Sequence, residues 1–112
     1  MLEQRYRLKK KYQFNYVYRV GKTCHGRFIL LVFSPSKNQN VKIGVSASKK
    51  VGNSVQRNRA RRIIREAIKP YLDCIKPNFN IILVAKSAIE GKKTSEVQAD
   101  LQTILEKAEL LK

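Results

Sequence analysis

The run from Lys49 to Glu66 lays an arginine cluster along one face of a helix whose opposite face is apolar. Ala60, Ile63, Ile64, Ala67, Ile68 and Tyr71 recur at the three-and-four spacing of an amphipathic helix, while Arg57, Asn58, Arg61, Arg62, Arg65 and Lys69 fall on the other side. The apolar stripe has to be buried against another element and the arginine face has to stay outside, so this segment must lie as a surface helix on a core. Ser54 is the expected N-cap, which places Arg57 at the position where a capping box would carry Glu or Gln. Cations in the first turns oppose the helix macrodipole at a cost of a few tenths to about 1 kcal/mol each unless an anion binds. Helix stability therefore does not account for the arginines, and an anionic partner does.

The charge of the whole chain is arranged around the same need. No Asp or Glu occurs from Gln4 through Arg65, and residues 1–65 hold 17 of the 24 Lys and Arg. Residues 66–112 contain seven basic and seven acidic side chains, so the net charge of +16 belongs to the first part. A surface built for solubility alone would mix the signs, because a one-sign field repels itself. Such a field favours a polyanion, nucleic acid ahead of an anionic membrane surface. The N-terminus has no signal-peptide apolar region and no stretch is long enough to span a membrane, so a cytoplasmic protein is expected.

With 112 residues, 43% of them apolar, one domain over residues 1–112 can bury one core. Phe28–Phe33 is a short apolar run, and Val41, Ile43, Val45 and Ala47 alternate with Lys42, Gly44, Ser46 and Ser48. The polar turn from Ser34 to Asn40 between them predicts an antiparallel pair. Pro70 ends or kinks the arginine helix, Lys76-Pro77-Asn78 makes a turn, and Asn80–Lys86 reads as a central strand. A last helix follows, capped by Thr94 or Ser95, with Val97, Leu101, Ile104, Leu105 and Ala108 as its core stripe and its acids and lysines outside. Cys24 and Cys74 show no ligand spacing and are expected as structural thiols. His25 is expected as a loop residue rather than a metal ligand.

The first segment is open between strand and helix: Tyr12, Phe14, Tyr16 and Tyr18 alternate, yet Phe14, Val17, Tyr18 and a terminating Gly21 also fit a short helix. Its aromatics interleave with Lys9, Lys10, Lys11 and Arg19, the mixture that serves single-stranded nucleic acid, rings for bases and cations for phosphates. Some of those rings are also needed for packing, and for any one of them core and base contact stay open. Catalytic constellations are missing. Beyond Glu3 the first 65 residues offer no carboxylate for acid/base work or for holding divalent ions, and there is no P-loop.

The run Val45-Ser-Ala-Ser-Lys-Lys-Val-Gly-Asn-Ser-Val-Gln-Arg-Asn-Arg-Ala-Arg-Arg-Ile-Ile-Arg-Glu66 resembles the Arg-Asn-Arg signature of the bacterial ribonuclease P protein subunit. The resemblance runs through nearly the whole chain, with Arg7-Leu8-Lys9-Lys10 opening a first helix, Phe14 and Tyr18 on it, and the strand Ile-Ile-Leu-Val-Ala-Lys. Only the extreme termini and the Cys24–Arg27 turn fall outside it. It implies an α+β fold, an α/β sandwich of order α-β-β(-β)-α-β-α, with a left-handed βαβ crossover against the usual rule. It also implies a ribonucleoprotein endonuclease whose catalyst is the partner RNA. That enzyme removes the 5′ leader of precursor tRNA with Mg2+ held mainly by RNA, and this chain carries no catalytic residue.

By the same resemblance, Lys49, Lys50, Asn53, Arg57, Asn58, Arg59, Arg61, Arg62 and Arg65 face the catalytic RNA. Lys10, Phe14, Tyr18, Ser46, Ser48 and Lys86 border the leader. Each has a structural alternative. Arg59 is placed to pair with Glu66, and Asn53 with Gly52 to shape the turn into the helix, whereas Arg57, Arg61 and Arg65 have no acid near in sequence. A ribosomal or major-groove binding protein is the alternative function. It is disfavoured because the element before the basic helix reads as a strand and not as the first helix of a turn-linked pair.

Overall fold

The computed structural model describes residues 4–112. Its elements run α1 (Lys11–Val20), β1 (Lys22–His25), β2 (Ile29–Pro35), β3 (Lys42–Ala47), α2 (Ser54–Ile68), β4 (Phe79–Ala85) and α3 (Thr94–Lys107). The ambiguous first segment is helical, and the optional third strand before α2 is β1. Pro70 sits in a 3-10 turn, Lys69–Tyr71, that closes α2.

The four strands form one sheet in the order β1-β2-β4-β3. β2 is antiparallel to both β1 and β4, while β3 is parallel to β4. The expected antiparallel pairing of β2 with β3 is therefore wrong, because β4 lies between them. The reason is in β4 itself. Ile81, Ile82 and Leu83 are consecutive and fully buried, so this strand needs cover on both faces and a neighbour at both edges. β3 reaches it through α2, making a βαβ unit. On its outer edge β3 is covered by the N-terminal segment, where Arg7 bridges to Ile43 and the Leu8 amide donates to the Ile43 carbonyl at 3.0 Å.

Alternation along the strands sends side chains to two separate cores. One face, with Ile29, Leu31, Ile43, Ile81 and Leu83, packs under α2 and α3 through Ile64, Ile68, Leu101 and Ile104. The other face is covered only by α1, whose Val17 joins Leu8, Val32 and Ile82.

Two caps differ from the expectation. Asn53, one residue earlier than Ser54, caps α2: its Oδ1 accepts from the Gln56 amide at 3.0 Å while Gln56 Oε1 accepts from the Asn53 amide at 2.8 Å, a complete capping box. Lys93 rather than Thr94 or Ser95 is the N-cap of α3, and its amide donates to the Glu96 carboxylate at 2.9 Å.

The acids of α3 are not all outside. Asp100 is only 6% exposed, and its two carboxylate oxygens accept from the Arg27 and Phe28 amides at 2.8 and 2.9 Å. It fastens the β1–β2 turn to α3. Cys24 and Cys74 are free thiols, as expected.

Candidate nucleic-acid interface

The basic surface starts where β3 runs into α2. Ser48 accepts from the Lys50 amide at 3.3 Å and starts a 3-10 turn that leaves Lys49 and Lys50 exposed while Val51 is buried. Gly52 follows at φ +141°, a backbone conformation that side-chain-bearing residues rarely adopt. The Asn53–Gln56 box then satisfies the first amides of α2, and Gln56 Nε2 also donates to Glu90. The Asn53 side chain thus shapes the helix start, as its structural alternative held.

Along α2 the stripe Ala60, Ile63, Ile64, Ala67 and Ile68 is buried, which turns Asn58, Arg61, Arg62 and Arg65 outward. Arg61 donates to Asn58 Oδ1, and the Arg57 Nε is buried without a hydrogen-bond partner. Arg59 does not pair with Glu66. It donates to the Lys92 carbonyl at 3.2 Å, whereas Glu66 forms an ion pair with Lys69 at 3.3 Å. Among the described residues no acid pairs with Arg57, Arg61, Arg62 or Arg65. Partial burial, with repulsion from Arg7 and Arg61, lowers the Arg65 pKa below its ordinary value. A nearby anion would relieve that repulsion.

Beside Arg65 the surface folds into a crevice of about 380 Å³, lined by Arg7, Lys9, Phe14 and Val45 among others. It joins the arginine face to the sheet face that carries α1. In the sequence Lys9 counts among the cations interleaved with aromatics, whereas Arg7 carries no site signal of its own. They reach the site because the N-terminal segment lies along the edge of β3.

On that second sheet face the register defines three cross-strand rows. Thr23, Val32, Ile82 and Gly44 form the middle one, and α1 lies across it. Phe14 rests on Gly44 so closely that any Cβ there would collide with its ring tip. One flank of α1 faces the row His25, Leu30, Val84 and Ser46, with Lys86 and Ser48 at the next level. Phe14 and Tyr18 border this groove; Phe14 is half-buried and Tyr18 is 45% exposed.

Strand register and helix phase therefore place Phe14, Tyr18, Ser46, Ser48 and Lys86 along one side of α1, with the Lys86 ammonium held by the Gly26 carbonyl at 2.7 Å. Lys10 sits at the N-cap of α1, exposed. Leu30 and Val84 lie in the same row, which only the two-residue alternation of their strands signals, and His25, expected in a loop, is the last residue of β1 and pairs with Leu30. No group of three or more His, Cys, Asp or Glu that could hold a metal ion occurs among the described residues.

A mixed four-stranded sheet with one helix across one face, two on the other and an arginine-rich helix in its βαβ unit defines a small basic α+β protein. The family model described as Ribonuclease P matches residues 2–109, and the chain belongs to that family. It is 38% identical over 110 residues to the ribonuclease P protein component of Staphylococcus carnosus, covering 97% of this chain and 95% of that protein. Its counterpart in Enterococcus faecalis is 32% identical over 111 residues, covering 98% and 94%. The solved RNase P protein of Staphylococcus aureus superimposes with a TM-score of 0.85 at 30% identity, covering 96% of this chain and 98% of that one. The Thermotoga maritima RNase P protein shares the fold at 20% identity with a TM-score of 0.80, over 90% of this chain and 96% of that one.

Proposed function

We propose that this chain is the RNA-binding subunit of ribonuclease P, binding the catalytic RNA through α2 and the single-stranded 5′ leader of precursor tRNA through the groove beside α1. The observation that carries the reading is the continuity of the two surfaces. The arginine face of α2, where Arg57, Arg61, Arg62 and Arg65 pair with no acid among the described residues, passes through the Arg7–Lys9–Arg65 crevice directly to Phe14. Arg57, Asn58, Arg61, Arg62 and Arg65, with Lys49 and Lys50, would contact phosphates of the catalytic RNA. Arg59 and Asn53, each engaged in an internal hydrogen bond, would contribute mainly by shape. In the groove, Phe14 and Tyr18 would stack on unpaired bases while Ser46, Ser48, Lys10 and Lys86 line their path.

The chemistry belongs to the RNA in this proposal. Mg2+ takes oxygen ligands, usually carboxylates together with substrate phosphates, and the described residues gather no such donor set. The protein is given no chemical step: it lowers repulsion between two polyanions and positions the leader for endonucleolytic hydrolysis. A cytoplasmic site of action fits this role, and no helix among the described residues is long and apolar enough to cross a membrane. The major-groove alternative loses support because α2 is flanked by β3 and β4.

Reconstitution of the chain with catalytic RNA tests both surfaces. Tyr18→Ala, at an exposed position, should raise the dissociation constant for precursor tRNA about fivefold or more, since stacking on a base contributes about 1–3 kcal/mol. Binding of mature tRNA, which lacks the leader, should hardly change. Equal losses for the two tRNAs would remove the leader assignment, and cleavage of precursor tRNA by rigorously RNA-free protein would overturn the proposal as a whole.

A further inference from the structure

Because α1 crosses the sheet over the middle row, it leaves a second groove on its opposite flank. That groove faces the row Ser34, Asn80 and Lys42. It is a crevice of about 580 Å³ lined by Tyr12, Gln13, Asn15, Tyr16, Arg19 and Asn80, none of them used in the leader groove. Three observations converge on it.

Tyr12 and Tyr16, one turn apart on the same flank of α1, are 67% and 49% exposed, although aromatic rings are the side chains a small core would most readily bury. The Arg19 guanidinium lies 5.8 Å from the Tyr16 ring centroid, so a cation is already placed beside the exposed ring. Asn80 lines the groove, and Asn80 Oδ1 and Ser34 Oγ, on directly paired residues of β4 and β2, are buried oxygens without hydrogen-bond partners. A buried polar atom left unpaired costs about 1–3 kcal/mol.

We propose that this second groove takes an unpaired nucleobase of single-stranded RNA: Tyr12 and Tyr16 stack on the base, Arg19 meets its phosphate, and the Asn80 side chain in the lining meets the base edge. The chemistry matches group by group. Rings provide faces for any base, and an amide presents a donor and an acceptor side by side, the pair that a base edge offers in return. The occupant is anionic because the crevice carries Arg19 in its lining and Lys42 in the row it faces, and the sequence holds no acid between Gln4 and Arg65. An acidic peptide could meet Arg19 but would leave the two ring faces and the amide without planar partners. The inference rests on the RNA-binding reading above and adds a second single-strand site to it, separated from the first by the body of α1.

The test uses the full chain and a short fluorescent oligoadenylate at low ionic strength, with binding of the catalytic RNA measured in parallel. The double variant Tyr12→Ala/Tyr16→Ala should bind the oligonucleotide at least about fivefold more weakly. Its melting temperature and its affinity for the catalytic RNA should be unchanged, and Tyr12→Phe/Tyr16→Phe should restore binding. Ultraviolet crosslinking should mark the peptide containing Tyr12 and Tyr16 in the wild type. Undiminished oligonucleotide affinity in the double alanine variant, with binding lost instead in Tyr18→Ala, would overturn the second groove and leave the RNA-binding reading intact. A wild-type chain that binds the catalytic RNA but no oligonucleotide would overturn it too. Failure to bind either RNA would bring down the broader reading itself.

Discussion

Asp100 shows how much one buried side chain can organise. Its carboxylate accepts two backbone amides from the β1–β2 turn across more than seventy residues of sequence, and among the described residues no lysine or arginine side chain is hydrogen-bonded to it. Hydrogen bonds to a charged group contribute about 1.5–3 kcal/mol each, and truncation would leave two amides without acceptors. Asp100→Ala should therefore destabilise the protein by about 3 kcal/mol, which for a chain of this size lowers the melting temperature by ~10–20 °C. A thermal melt within ~2 °C of the parent would show that solvent replaces the carboxylate. The position was readable in principle: Asp100 is three residues from Val97 and four from Ile104, on the buried stripe of α3. Expecting every acid of the helix outside followed from residue type, where spacing pointed the other way.

At the scale of an element, α2 combines a stabilising cap with a face that its own dipole disfavours. Asn53→Ala removes one half of the Asn53–Gln56 box and should cost about 1 kcal/mol, or ~4–8 °C in melting temperature. Asn53→Asp keeps the cap and adds an anion where the dipole welcomes one, so the isolated protein should melt no lower than the parent. The same carboxylate would sit beside Lys49 and Lys50 and should weaken binding of the catalytic RNA. Parent-like RNA affinity in Asn53→Asp would place the helix start away from the RNA. Farther along the helix, Arg57→Ala, Arg61→Ala and Arg65→Ala break no ion pair among the described residues. The fold should survive, while the salt dependence of RNA binding flattens by a slope of about 0.7–0.9 for each lost phosphate contact. Unchanged slopes in all three would mark a face that is merely solvated.

For the whole molecule the governing quantity is a net charge of +16 with the acids confined almost entirely to the last part of the chain. Self-repulsion of this kind weakens the compact state, and a ligand that binds only the folded form stabilises it by mass action. Sulfate or phosphate should raise the melting temperature of the isolated protein at low ionic strength, through sites such as the crevice of Arg7, Lys9 and Arg65. Equal melting temperatures in sulfate and in chloride of matched ionic strength would show that no anion is specifically held. The sheet also assigns different work to its two faces. The side under α2 and α3 carries the larger core, and the side under α1 is left partly open, which makes two grooves from one helix.

The sequence by itself determined what depends on short windows. The stripe from Ala60 to Ile68 defines α2 and its outward arginines, the run Ile81-Ile82-Leu83 demands a central strand, and Pro70 closes the helix. The Arg-Asn-Arg signature added the family. Tertiary structure alone decided which strands meet, because β2 and β3, joined by a polar turn, leave room for β4 between them, and a turn reports chain reversal but not the neighbour across the edge. It also decided that α1 crosses the sheet at the row of Gly44, Ile82 and Val32, since a helix needs a missing side chain to come so close and that fit is written in two distant segments. The grooves exist only through that crossing. The family resemblance supplied Phe14, Tyr18, Ser46 and Lys86 as separate residues, but packing is what assembled them into a surface.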